Sequence, residues 1–339
     1  MFSPPSPLVS VSWLWDQLQS QQPTPLDQAD QNTQNGVPVQ PQSIVIVDCR
    51  FSLADPHQGR SLYAQGHLPG AVYLDLNQDL SSPPSPDRGR HPLPDLQILA
   101  AKLATIGVNF QDTWVVAYDD SRFAFASRLW WLLRYLGHDR VAVLDGGLVA
   151  WQAQGYPLSS QIPQPAPGHF VPQIRPEMSI DRLSLKGLLP QPGSQSHLTL
   201  IDSREAPRYR GEVEPIDPVA GHIPGAINAC WQVVTTDQGW AQPLTFHQAY
   251  WNAKLRLSAL QDQETQDQEI QEQKTEETIV VYCGSGVTAC VNLLSLTLAG
   301  FPQAKLYPGS WSEWCHCESE IARGDSSNEG EDPPDRSAE

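Results

Sequence analysis

The sequence predicts an α/β protein built as two tandem, similar domains, each a parallel sheet flanked by helices. Three observations carry that expectation. Short apolar, β-rich runs at 44–47, 198–201 and 278–282 alternate with longer helical patterns, as in sheets whose two faces are both covered. Two of the helical patterns, 123–136 and 287–299, stop at Gly137 and Gly300, the residue type that most readily closes a helix. The third observation is an internal repeat at about half the chain length.

The repeat is read in order. Asp48-Cys49-Arg50 follows its apolar run as Asp202-Ser203-Arg204 follows the other. Gly66-His67-Leu68-Pro69-Gly70-Ala71 returns as Gly221-His222-Ile223-Pro224-Gly225-Ala226. Val115-Val116-Ala117-Tyr118 returns as Ile279-Val280-Val281-Tyr282, and Asp145-Gly146-Gly147 with Trp151 as Pro308-Gly309-Ser310 with Trp314. The offset drifts by about ten residues between the second and third pairs, so the second copy carries an insertion. The domains are expected at 8–156 and 173–322, joined by a linker at 157–172 where Pro163, Pro165, Pro167 and Gly168 break any periodicity. The insertion is 261–277, polar and acidic with Ile270 its lone large apolar residue, and an acidic tail follows at 323–339; both are expected to lack packed structure.

Composition narrows the function. Of the net charge of −17, most lies in the insertion and the tail, so the remainder is only mildly acidic. No basic patch supports a nucleic-acid role, and no run approaches the roughly 18 apolar residues of a membrane span. Met1-Phe2-Ser3-Pro4-Pro5 lacks the basic start of a secretory signal. Six irregularly spaced cysteines in 339 residues make no disulfide framework, which favours a reduced, cytoplasmic setting. Cys315-His316-Cys317 has no second pair at zinc-site spacing, and no metal or organic cofactor is expected.

One segment carries chemistry. Cys283 follows the strand 278–282 and precedes a helix starting near Val287 or Thr288, the strand end where open α/β sheets place ligands. Gly284 and Gly286 let the backbone curl so that N–H groups turn towards one sulfur, and the helix N-terminus adds its positive field. Both effects favour an anionic sulfur and hence a nucleophile. A merely structural cysteine needs neither glycine. Cys290, two helical turns further on, reads as core packing, as do Trp130 and Trp131.

With those motifs in order, the chain resembles the tandem-domain rhodanese-like sulfurtransferases, the family of thiosulfate and 3-mercaptopyruvate sulfurtransferases. The resemblance runs from about Leu8 to Trp314, the insertion excepted. It implies a persulfide on Cys283, formed from a small-molecule sulfur donor and discharged to a thiol, cyanide or a thioredoxin-like acceptor. The first copy carries Asp119 where Cys283 stands, and a carboxylate cannot form a persulfide, so that domain is expected to be non-catalytic. Gly284-Ser285-Gly286 matches the mercaptopyruvate enzymes, whereas animal thiosulfate enzymes carry basic residues at the first two positions. The resemblance assigns Ser285 to a proton relay with His67 and Asp55 from the first domain. It assigns donor binding to Arg208, with the loop residues Gly284, Gly286, Val287 and Thr288 around the donor. A second arginine common in mercaptopyruvate enzymes is replaced by Asp217, so the signature is mixed, and Asp217→Arg is expected to improve use of a carboxylate donor.

Other residues are read more plainly. Arg50 and Arg204 follow strand-end aspartates in both copies, which suits structural ion pairs. His222 shares its turn with His67 and reads as structural. His91 lies in the Pro-rich loop 89–94, within reach of the cleft but without support from the resemblance. A phosphatase is disfavoured because Ala289 and Cys290 stand where an arginine would clamp phosphate. A sulfur-carrier module with little small-molecule turnover is the third class.

Overall fold

The computed structural model describes residues 6–20, 43–190, 197–261 and 278–325. The expected insertion after Gln261 and the tail after Asp325 lie outside the described residues. Among the described residues nine strands form two sheets: β1 Leu8–Val9, β2 Ile44–Asp48, β3 Val72–Tyr73, β4 Trp114–Tyr118 and β5 Val141–Leu144 in the first, β6 Leu198–Asp202, β7 Ala226–Asn228, β8 Thr278–Tyr282 and β9 Lys305–Leu306 in the second. Their orders are β1-β5-β4-β2-β3 and β7-β6-β8-β9. Every pairing is parallel. The orders coincide once β2–β5 are laid on β6–β9, which is the repeat in three dimensions. The edge strand β1 has its counterpart in a single parallel bridge between Ser179 and Leu306.

The helices are α1 Val11–Ser20, α2 Gln58–Gln65, α3 Leu96–Thr105, α4 Ala126–Tyr135, α5 Gly147–Ala153, α6 Arg182–Leu188, α7 Ala206–Tyr209, α8 Leu244–Gln261, α9 Ala289–Ala299 and α10 Ser310–Cys317. Sequence patterns were two or three residues generous at the N-termini of α4 and α9, because the loops preceding both helices are also apolar. These two helices are buried almost all round, polar residues included: Ser127, Arg128, Leu129, Trp130, Trp131 and Leu132 on one, Val291, Asn292, Leu293, Leu294, Ser295 and Leu296 on the other. Here α4 and α9 pack against each other and share one core cluster that runs through both halves. The same packing sets the first half's loops over the end of β8.

Both copies repeat one buried ion-pair device. Arg50 Nη2 lies 2.6 Å from Asp48 Oδ2, and Arg204 Nη2 lies 2.6 Å from Asp202 Oδ2. Each arginine also donates to a carbonyl of the repeated turn, Gly66 O or Gly221 O. Each pair is therefore hydrogen-bonded beyond its own partner, as a buried charge pair must be.

Candidate active site

The chain leaves β8 at Tyr282 and turns sharply. Cys283 N–H donates to Ser310 Oγ at 3.2 Å, Cys283 O accepts from Trp311 N–H at 3.0 Å and Gly284 O from Ser312 N–H at 2.9 Å. The loop is thus clamped on the start of α10. Gly286 has φ +76°, and a Cβ there would stand 2.4 Å from Pro308 O, so only glycine fits. This turn brings Gly286 N–H to 3.2 Å from Cys283 Sγ. Thr288 is the N-cap of α9, one or two residues later than expected.

Cys283 is 2% exposed and sits in a cavity of about 310 Å³ between the halves. Gly284, Ser285, Val287, Thr288 and Arg208 also line it. Arg208, at the end of α7, is held by Glu214 at 2.7 Å and lies 3.5 Å from Asp217. Phe51, Leu76 and Phe125 from the first half and Trp231 from the second make the apolar wall.

The expected relay partners are elsewhere. His67 is fully buried, stacked on Tyr63 with ring centroids 4.0 Å apart. Its Nδ1 lies 2.8 Å from Tyr63 O and its Nε2 3.0 Å from Gln161 O, so both ring nitrogens are engaged by backbone. His222 makes the matching stack on Tyr209, which shows that this histidine belongs to the repeated fold. Asp55 is exposed, and its carboxylate accepts from His57 N–H at 3.0 Å in the turn leading into α2. Neither lines the cavity.

The histidine at the cavity is His91. Its Nδ1 lies 2.8 Å from Ser285 Oγ. Burial, with Arg128 and Arg90 nearby, pushes its pKa down to about 3, so the ring is neutral at working pH. Arg128, fully buried on α4, donates to Gly286 O at 3.0 Å and to His91 O at 3.2 Å, tying the cysteine loop to the histidine loop. The only sequence signal for His91 was its place in a polar, proline-rich loop; its partner is 194 residues away. Arg204, besides its pairing with Asp202, also lines the cavity and contacts Glu214 at 3.2 Å.

Burial pushes Cys230 up to about 11 and Cys290 up to about 12, and it raises Cys49 well above its ordinary value. They remain thiols. In the first half, Asp119 occupies the position of Cys283, and its backbone carbonyl accepts from Leu148 N–H at 2.9 Å as Cys283 accepts from Trp311. Its carboxylate takes four N–H groups, from Ser121, Phe123, Phe125 and Ala126, at 2.9 to 3.1 Å. The loop that elsewhere surrounds a sulfur here closes on its own side chain.

The model of the rhodanese-like domain matches the chain twice, at residues 26–154 and 184–317. The chain belongs to the rhodanese-like domain family. Relatives agree: the probable 3-mercaptopyruvate sulfurtransferase of Pseudomonas aeruginosa is 47% identical, over 80% of this chain and 89% of the relative. The putative thiosulfate sulfurtransferase SseB of Mycobacterium tuberculosis is 39% identical over 80% of this chain and 87% of its own. The human 3-mercaptopyruvate sulfurtransferase is 34% identical, over 80% and 85%. Among solved structures, SseA from Escherichia coli, described as a 3-mercaptopyruvate sulfotransferase, superposes with a TM-score of 0.66 at 28% identity, over 90% of this chain and 99% of that one. The two matched rhodanese-like regions contain the two sheets, except for β1 in the first, and the second contains the cysteine loop. Among the described residues no helix is long and apolar enough to cross a membrane.

Proposed function

We propose that the chain is a sulfurtransferase that forms a persulfide on Cys283, takes its sulfur from 3-mercaptopyruvate, and passes it to a thiol, cyanide or a thioredoxin-like protein. The observation that carries the reading is Cys283 Sγ at the cavity floor, 3.2 Å from Gly286 N–H, beside the Ser285–His91 hydrogen bond. In the first half-reaction the Cys283 thiolate attacks the donor sulfur. The new S–S bond forms as the carbon–sulfur bond breaks, and the bonding electrons leave on carbon as the enolate of pyruvate. The donor sulfur is oxidised to the sulfane level and the carbon is reduced. The donor's thiol proton is handed along the Ser285 hydroxyl and the neutral His91 ring to the enolate carbon, without His91 being held as a cation. In the second half-reaction the acceptor attacks the outer sulfur and Cys283 leaves as thiolate. Nothing in this cycle requires an added cofactor.

Arg208 binds the donor's carboxylate, the charge-assisted contact for which a planar guanidinium is suited. A cytoplasmic setting suits the chemistry, since all six cysteines are free thiols. Thiosulfate is the second donor to consider, because Asp217 stands where the second arginine is expected and a 39% identical relative bears that name. The test is a side-by-side assay of pyruvate release from 3-mercaptopyruvate and of thiocyanate formation from thiosulfate and cyanide. Pyruvate release is expected to dominate and to vanish in Cys283→Ser. Activity surviving in that variant sinks the reading.

A further inference from the structure

Position 217 is not simply short of a cation. The loop containing Gly89, Arg90 and His91 crosses from the first half to dock on the second. Gly89 has φ +85°, and a Cβ there would stand 2.6 Å from Gly309 O and 2.7 Å from Ser312 Oγ, so backbone meets backbone. Arg90 N–H then donates to Ser312 Oγ at 3.0 Å. The Arg90 guanidinium pairs through Nη1 with Asp217, whose carboxylate is 2% exposed. Asp217 also lies 3.5 Å from Arg208, so one buried carboxylate draws two arginines together across the cleft. They converge over the cysteine loop: a Cβ on Gly284 would stand 2.9 Å from Arg90 Nη2, and 3.5 and 3.6 Å from the terminal nitrogens of Arg208. Both side chains line the cavity, and Arg90 Nη2 has no hydrogen-bond partner among the described residues.

We infer that Arg90 is the second cation that binds the donor's carboxylate, supplied by the first half and aimed by Asp217. The inference rests on the proposed carboxylate-bearing donor and says how this chain meets its charge. The two guanidinium groups give a carboxylate hydrogen-bond donors from both walls of the cleft, with the donor's sulfur left facing Cys283. It also bears on Gly284, since a Cβ there would stand 2.9 Å from Arg90 Nη2 and push that guanidinium aside, and a basic side chain would add charge repulsion. And it reverses the expectation for position 217: Asp217→Arg alone would set a third cation against Arg90 and Arg208 and should impair the site.

Alkylation of Cys283 reads the site without turnover, because iodoacetate carries a carboxylate and iodoacetamide does not. Modification is followed by mass spectrometry on the Cys283 peptide of the full-length protein. Arg90→Met is expected to lower the iodoacetate-to-iodoacetamide rate ratio about tenfold, the loss of one charge-assisted bond. The iodoacetamide rate should stay near wild type, which shows the loop intact, and KM for 3-mercaptopyruvate should rise by a similar factor with a smaller change in kcat. The double variant Arg90→Met with Asp217→Arg, which returns the cation to position 217, should recover much of the ratio. An unchanged ratio in Arg90→Met overturns the inference, and so does an equal fall in both rates. If wild type releases no pyruvate, the donor reading fails, while the alkylation ratio still decides whether Arg90 serves an anion.

Discussion

Ser285 and His91 belong to different halves, yet they meet at 2.8 Å beside Cys283. Their proposed task is specific to a donor whose carbon must be protonated as sulfur departs. Ser285→Ala should therefore cut kcat for pyruvate release by about a hundredfold, the lower range for a lost proton-transfer group. Sulfite leaving thiosulfate needs no carbon protonated, so persulfide formation from that donor should fall far less. Equal losses with both donors would remove the relay from the mechanism. Cys283 was legible in the sequence because strand end, glycines and helix start are all local. His91 was not, since hydrogen bonds across 194 residues leave no trace in spacing. His67 was singled out by the family resemblance alone, and its ring nitrogens lie against the backbone carbonyls of Tyr63 and Gln161.

The cysteine loop and its counterpart show one element used two ways. Around Cys283 it is held open by Gly286 and the start of α10. Around Asp119 it is closed by four N–H bonds to a carboxylate 2% exposed. Burial raises the Asp119 pKa, and the bonds from Ala126, Ser121 and Phe125 act against that rise. Asp119→Ala would leave several buried donors without acceptors, at about 1–3 kcal/mol for each that water cannot reach. A loss of about 3 kcal/mol or more in urea unfolding is expected, with Asp119→Asn milder. A loss under about 1 kcal/mol would mean that the loop readily rearranges. The expectation that this half lacks a nucleophile followed from the residue type alone, whereas its service as an internal anion needed the bond geometry.

On the scale of the molecule, the two halves share a core through α4 and α9, and burial lowers the pKa of several histidines. Burial, then Arg128 and Arg90, brings His91 down to about 3, and burial also lowers His138, His222 and His247. An unfolded histidine titrates near 6.5, so as pH falls the unfolded chain takes up protons before the folded one does. The stability these groups allow is complete above about pH 6.5 and declines below it, by up to about 1.4 kcal/mol per pH unit for each. For His91 the decline ends near 3. Between pH 7.5 and 5, above the range of the carboxylates, the urea midpoint should drop, and His91→Asn should flatten that drop. Identical slopes in the two proteins would show that His91 is charged in the folded state.

The sequence by itself determined the duplicated α/β plan, the strand and helix that frame Cys283, and Asp119 at the equivalent position of the first copy. Each is written in periodicity, local turn chemistry or residue type, which neighbouring residues decide among themselves. The tertiary structure alone decided which histidine reaches Ser285, why Asp217 does not empty the site of positive charge, and where α4 and α9 hide their apolar surfaces. Those depend on how the first half's loops lie across the second. That placement comes from packing two apolar helices against each other, and packing has no period in the sequence.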